Sequence, residues 1–144
     1  MATVRDILAR KGASVVSVPS ATSVLEAAQL MNDRGIGAVL VTDGGVLAGI
    51  FTERDLMRRV VAGQRDPTAT PVSQVMTTSL VTTTATATVE ECASLMTSRR
   101  IRHLPVLDGE TLAGMVTIGD LMAFQVDEQA STIAQLNNYV YGSR

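Results

Sequence analysis

The sequence predicts a mixed α/β fold (α+β): two copies of a β-α-β-β-α unit followed by a helical tail. Three observations predict it. Sliding the 144-residue chain by 65 positions lays Arg34 to Met57 on Arg99 to Met122 with 12 of 24 residues identical and no gap. Extending back to Val15 against Leu80 gives 18 identities in 43 positions, where chance gives about 6%. Each copy runs from a β-branched stretch through apolar residues at helical spacing to two further extended stretches. Apolar residues make up 46% and charged residues 18%, enough to build a core and too apolar for a disordered chain.

The elements follow in order. Residues 4–8 and 72–76 read as short lead-in helices, one ahead of each copy. Residues 15–18 form a first strand, stopped by Pro19. Ser23, with Glu26 three residues on, reads as a capping box; behind it Val24, Ala27, Ala28, Leu30 and Met31 recur at helical spacing. Thr88 and Glu91, then Val89, Cys92, Ala93, Leu95 and Met96, repeat that pattern. Strands at 38–42 and 46–51 meet through Asp43-Gly44-Gly45, and strands at 103–107 and 111–116 through Asp108-Gly109. A helix then starts at Thr52 and at Thr117. The linker spans 62–71. The tail, residues 127–141, puts Ile133, Leu136, Tyr139 and Val140 on one helical face before Gly142 stops it, and reads as a cover or a dimer contact. The predicted divisions are therefore 1–66 for the first repeat with its lead-in helix, 67–124 for the second, and 125–144 for the tail. Paired copies bury their sheets against each other.

Composition excludes several kinds of work. With no Trp, two Phe and two Tyr, a base-stacking surface or an aromatic cation cage has too few rings. Net charge is −2, so no polyanion-attracting field covers the molecule and nucleic acid is not an expected partner. Lys11 is the sole lysine beside eleven arginines, a bias toward forked hydrogen bonding of carboxylate or phosphate. Cys92 stands alone, which excludes an intrachain disulfide and a cysteine-based metal site; it reads as a packed core thiol. Glu90-Glu91 and Asp127-Glu128 read as charge at helix starts, so no metal site is expected. The first residues lack the apolar stretch of a secretory signal, and no apolar run is long enough to span a bilayer. The expected location is the cytoplasm.

The most informative repeated feature is Gly-hydrophobic-hydrophobic-Thr-x-x-Asp: Gly49-Ile-Phe-Thr-Glu-Arg-Asp55 and Gly114-Met-Val-Thr-Ile-Gly-Asp120. One reading is structural. Thr caps the helix, and Asp three residues later favours its positive end and reaches back to the cap. The other is functional. A carboxylate at a strand-to-helix junction accepts the two hydroxyls of a ribose, while the Thr hydroxyl and first-turn amides hold phosphate. Both fit a duplicated motif.

This tandem arrangement, with Arg102-His-Leu-Pro-Val106 on the middle strand of the second copy, resembles a pair of cystathionine-β-synthase (CBS) domains over residues 3–124. It is similar to small stand-alone bacterial CBS-pair proteins. The resemblance implies two repeats packed through their sheets about a pseudo-twofold axis, plus a C-terminal helix. It implies two clefts for adenosine-containing ligands such as AMP, ADP, ATP, NAD(H) or S-adenosylmethionine, and association of pairs into a flat homodimer. Carried over by residue, Asp55 and Asp120 meet ribose hydroxyls, and Thr52 and Thr117 bind ribose or phosphate. Ile36, Gly37 and Ala38, with Ile101, Arg102 and His103, border adenine. So do Val16, Val18 and Pro19, with Val81, Thr83 and Thr84, mainly through backbone groups. Arg54, Arg102 and His103 are phosphate candidates, with Arg99 next.

The copies differ where Leu40 faces Pro105, Gly37 faces Arg102, Ala38 faces His103 and Arg54 faces Gly119, which leaves open whether one cleft or both bind ligand. The function read from this is a regulatory module that binds an adenine nucleotide and signals to a separate protein. The alternative is a ligand-independent dimerisation or interaction scaffold. Catalysis is not expected: no phosphate-gripping Gly-x-x-x-x-Gly-Lys loop, no metal carboxylate cluster and no nucleophile beside a base is present.

Overall fold

The computed structural model describes residues 1–141. Helix α1 (Val4–Lys11) precedes the first repeat, which consists of β1 (Ser17–Val18), α2 (Val24–Arg34), β2 (Ala38–Asp43), β3 (Val46–Thr52) and α3 (Glu53–Asp55); α3 runs on as a π-helical stretch, Leu56–Val61. A 3₁₀ turn, Val72–Gln74, leads to the second repeat: α4 (Val89–Arg99), β4 (His103–Asp108), β5 (Thr111–Thr117) and α5 (Ile118–Tyr141). Both predicted hairpins form. Gly44 and Gly45 sit at φ 58° and 80°, the left-handed region that a two-residue hairpin turn requires. Each hairpin carries a register shift at the same place, between Val41 and Thr42 and between Val106 and Leu107.

The first strand is shorter than the sequence predicts, and its counterpart in the second repeat shrinks to one bridge. In the first repeat β1 pairs in parallel with β2, and the Leu40 N–H donates to the Val16 carbonyl at 3.1 Å. Pro105 occupies the position of Leu40 and has no N–H to give. Pairing there is reduced to Thr83, whose N–H donates to Pro105 and whose carbonyl accepts from Leu107, both at 2.9 Å.

Helices α2 and α4 start as predicted on Ser23 and Thr88, whose side-chain oxygens accept the Glu26 and Glu91 N–H groups at 3.1 and 3.0 Å. The full reciprocal box forms instead at the next helix of each repeat, at Thr52–Asp55 and Thr117–Asp120.

Two cores and a seam fill the molecule. The sheets meet through Ala38, Leu40 and Ile50, with Leu80, Leu112 and Met115 packed against them. The other cores lie under the helices, and here the lead-in segments cross over. Val4 and Ile7 of α1 are buried among Cys92, Met96, Leu104 and Val116 of the second repeat. Val72 and Val75, ahead of the second repeat, are buried among Val24, Val39 and Phe51 of the first. Backbone bonds fasten both crossings: Val4 N–H to Ala87 O at 2.9 Å, and Val72 N–H to Thr22 O at 2.8 Å. Helix α5 passes unbroken from the second repeat into the tail, through residues 124 and 125. On the tail face Ile133 and Leu136 are exposed; Tyr139 and Val140 lie on the helical backbone, and Gly142 lies outside the described residues.

Candidate functional site

Each repeat assembles the same constellation at the strand-to-helix junction. Ala38 pairs with Thr52 and His103 with Thr117. The first helical N–H then closes on the neighbouring strand: Glu53 donates to Gly37 O and Ile118 to Arg102 O, each at 3.0 Å. Gly37 and Ala38 therefore stand beside Thr52 and Asp55, and Arg102 and His103 beside Thr117 and Asp120. The two halves are brought together as the sequence predicts.

The side chains are divided differently. Val16, Val18 and Ile36 pack into the first core, and Val81 and Ile101 into the second. Thr83 is buried with its hydroxyl 3.7 Å from Cys92 Sγ, and its backbone is already engaged with β4. The side chains at these six positions thus belong to the interior, and Ala38 lies in the seam between sheets. Pro19, Arg54, Arg99 and Arg102 are exposed. Gly37 lies under the Glu53 carboxylate, which stands 3.5 Å from where a Cβ would be. Burial pushes the His103 imidazole below its ordinary proton affinity, partly offset by the Glu53 carboxylate of the other repeat. Burial likewise pushes the Cys92 thiol up, the direction of an unreactive core cysteine.

The two aspartates stand in contrasting surroundings. Asp55 is 5% exposed. Its Oδ2 accepts from Thr52 N–H at 3.1 Å and Thr52 Oγ1 at 3.2 Å; Thr77 Oγ1 reaches Oδ1 at 3.1 Å, with Arg59 Nε 3.7 Å away. Both oxygens are engaged. Asp120 has a side chain 22% exposed. Its Oδ2 accepts from Thr117 N–H at 2.8 Å and from Lys11 Nζ at 2.6 Å, whereas Oδ1 has no protein partner among the described residues. It borders a groove of about 260 Å³ lined by Ile7, Arg10, Lys11, Ala123, Phe124 and Asp127.

Sequence reasoning missed Lys11, Thr77, Arg59 and Glu53. The crossing segments bring Lys11 and Thr77 to the aspartates, and they also explain the motif glycines. A Cβ on Gly49 would lie 2.6 Å from Met76 Sδ and 2.9 Å from Thr77 O; one on Gly114 would lie 3.0 Å from Leu8 Cδ2. The glycine of Gly-h-h-Thr-x-x-Asp thus leaves room for a neighbouring segment. Lys11 did carry a signal, as the chain's sole lysine, and in the 65-residue register it falls on Met76.

Comparison with known proteins adds to this geometry. The family model described as CBS domain matches residues 3–62 and again 72–127. The chain is 38% identical over 137 residues to the CBS domain-containing protein YhcV of Bacillus subtilis, covering 95% of each. It superposes with a TM-score of 0.85 and 43% identity on a Burkholderia ambifaria protein with CBS domains, covering 88% of this chain and 96% of that one. The CBS domain pair of protein MJ0100, solved in complex with 5′-methylthioadenosine and S-adenosyl-L-methionine, superposes with a TM-score of 0.75 and 26% identity. That match covers 85% of this chain and 98% of the other. Among the described residues no helix is long and apolar enough to cross a membrane.

Proposed function

This chain belongs to the CBS-domain family, and from that premise we propose that it is a regulatory module that binds an adenosine-containing ligand at the Thr117–Asp120 junction. The observation that carries the reading is Asp120. Its own capping box fixes the carboxylate, yet Oδ1 stays open beside a groove, which suits acceptance of a sugar diol. Arg102 and His103, from the adjoining strand, supply donors for a phosphate. The solved pair with bound methylthioadenosine and S-adenosylmethionine supports the adenosyl class; AMP, ATP and NAD(H) are the ligands we propose. Asp55, buried with both oxygens engaged, makes the first junction the weaker site.

The module acts by binding, with no chemical step of its own, and transmits ligand occupancy to a separate protein in the cytoplasm. A signal of this kind is limited by the difference in ligand affinity between two packings of the module. Met57 and Val61 are exposed, and so are Met122 and Val126, which occupy the same positions one repeat later. This duplicated apolar face is where a second copy would sit, giving a homodimer. The same face favours a second reading, an interaction scaffold that needs no ligand.

Thermal unfolding with AMP, ATP, NADH and S-adenosylmethionine separates the two readings. At least one ligand is expected to stabilise the protein by about 2.7 kcal/mol at 100 times its Kd, and Asp120→Ala to abolish that gain while remaining folded. No stabilisation by any of them at millimolar concentration overturns the reading and leaves the scaffold.

A further inference from the structure

We infer that Lys11 gates the second site and sets its preference for phosphorylated over neutral ligands. The inference rests on the ligand reading of Asp120 proposed above. Lys11 ends α1, and its ammonium donates to Asp120 Oδ2 at 2.6 Å and to the Met115 carbonyl at 2.9 Å. A vicinal diol is held in two-point fashion when its hydroxyls donate to the two oxygens of one carboxylate. Oδ1 is open, but Oδ2 is held by Lys11, so a diol can bind in two-point fashion only when the ammonium moves off. The pair lies partly in solvent, with side-chain exposures of 30% and 22%, and such pairs are weak enough to be displaced.

The displaced charge has an obvious destination. An ammonium on a flexible four-carbon stem is a mobile point charge, and the phosphate carried by the same ribose comes within its reach. A neutral nucleoside breaks the pair and offers nothing in return. A nucleotide replaces the lost contact with a charge-assisted one. Lys11 acts alongside Arg102 and His103 on the adjoining strand, and it alone is released from Asp120 by the ligand; Arg10 is held elsewhere, paired with Asp127 and stacked on Phe124. The device belongs to the second site alone, because the residue that corresponds to Lys11 in the 65-residue register is the uncharged Met76, and Asp55 is met by the Thr77 hydroxyl instead. Since Lys11 is part of α1, ligand arrival also loosens the last turn of that helix from the second repeat.

The test is a site-resolved NMR titration of the full chain with adenosine and with AMP, read at the amides of Thr117 and Asp120 and, for the first junction, of Thr52 and Asp55. Wild type, Lys11→Met and Lys11→Arg are compared. Lys11→Met is expected to weaken AMP roughly tenfold while adenosine binds as tightly or a few-fold tighter; Lys11→Arg restores most of the AMP preference. In the ligand-free state, Lys11→Met is expected to speed amide exchange in the last turn of α1. If AMP and adenosine both bind through Asp120 but Lys11→Met leaves their ratio within about twofold, the gate is overturned and the site stands. If neither ligand moves the Thr117 and Asp120 amides of wild type, the site reading falls and the gate with it.

Discussion

The first and second repeats carry one motif in one register, and yet they differ in what surrounds it. Asp55 is sealed under Thr77 and Arg59; Asp120 is covered by a single movable lysine. The helix that follows differs as well, widening to a π-helical stretch at Leu56–Val61 in the first repeat and continuing as regular α-helix in the second. Motif identity therefore fixes the carboxylate's geometry but not its availability. Availability is decided by the crossing segment, which comes from outside the repeat and has diverged. A residue-by-residue transfer of roles between the copies fails at that point.

Three comparisons sharpen or break this contrast. Asp55→Ala is expected to cost about 3 kcal/mol, because it removes a helix cap, leaves the Thr77 hydroxyl without its acceptor and deprives Arg59 of its ion-pair partner. Asp120→Ala is expected to cost about 1 kcal/mol, since its pair with Lys11 is partly solvated. Urea denaturation of both variants measures the difference, and equal costs would mean that the two junctions are equally closed.

Next in size are the glycines. Gly49→Ala is expected to destabilise by about 2 kcal/mol, since the new methyl meets the Thr77 carbonyl as well as Met76. Gly114→Ala, which meets only the movable Leu8 side chain, is expected to cost less than about 1 kcal/mol. The same denaturation series reads both.

The smallest effect is that of His103. Its proton affinity is lowered in the folded protein from the ordinary 6.5, so the unfolded chain binds the extra proton first as acid is added. Its contribution to stability is therefore complete above pH 6.5 and lost as pH falls through the folded value. A scan of Tm between about pH 7.5 and 5.5 should be steeper for wild type than for His103→Gln. Parallel curves would mean that the imidazole titrates as if unfolded.

Much of this fold was legible because its signals are local and repeated. Ser23, Thr52, Thr88 and Thr117 each cap a helix within three residues of themselves, and the Gly44-Gly45 turn sets its own hairpin. What escaped has no local signal. That α1 would join the far core follows from where Val4 and Ile7 find complementary apolar surface, which no window of sequence contains. The loss of the first strand in the second repeat had a cause in plain view, the missing N–H of Pro105, but its consequence depends on knowing that Val81 would otherwise be its partner. Within the site, the strand-to-helix junction was legible from the duplicated box. That the Val18 and Thr83 side chains go into the interior was not legible, because alternation along so short a strand leaves its inward face undefined until the helices pack on it.

The exchange of leading segments has a consequence for the ancestry of the chain. A polypeptide of half this length could not close its own core, because the piece that completes each half precedes the other. Such a half would be stable only as two molecules trading their N-terminal arms. The present chain has the topology of that arm-swapped dimer with its subunits joined in tandem, so its two arms need not be alike. A lysine stands over one carboxylate and none over the other.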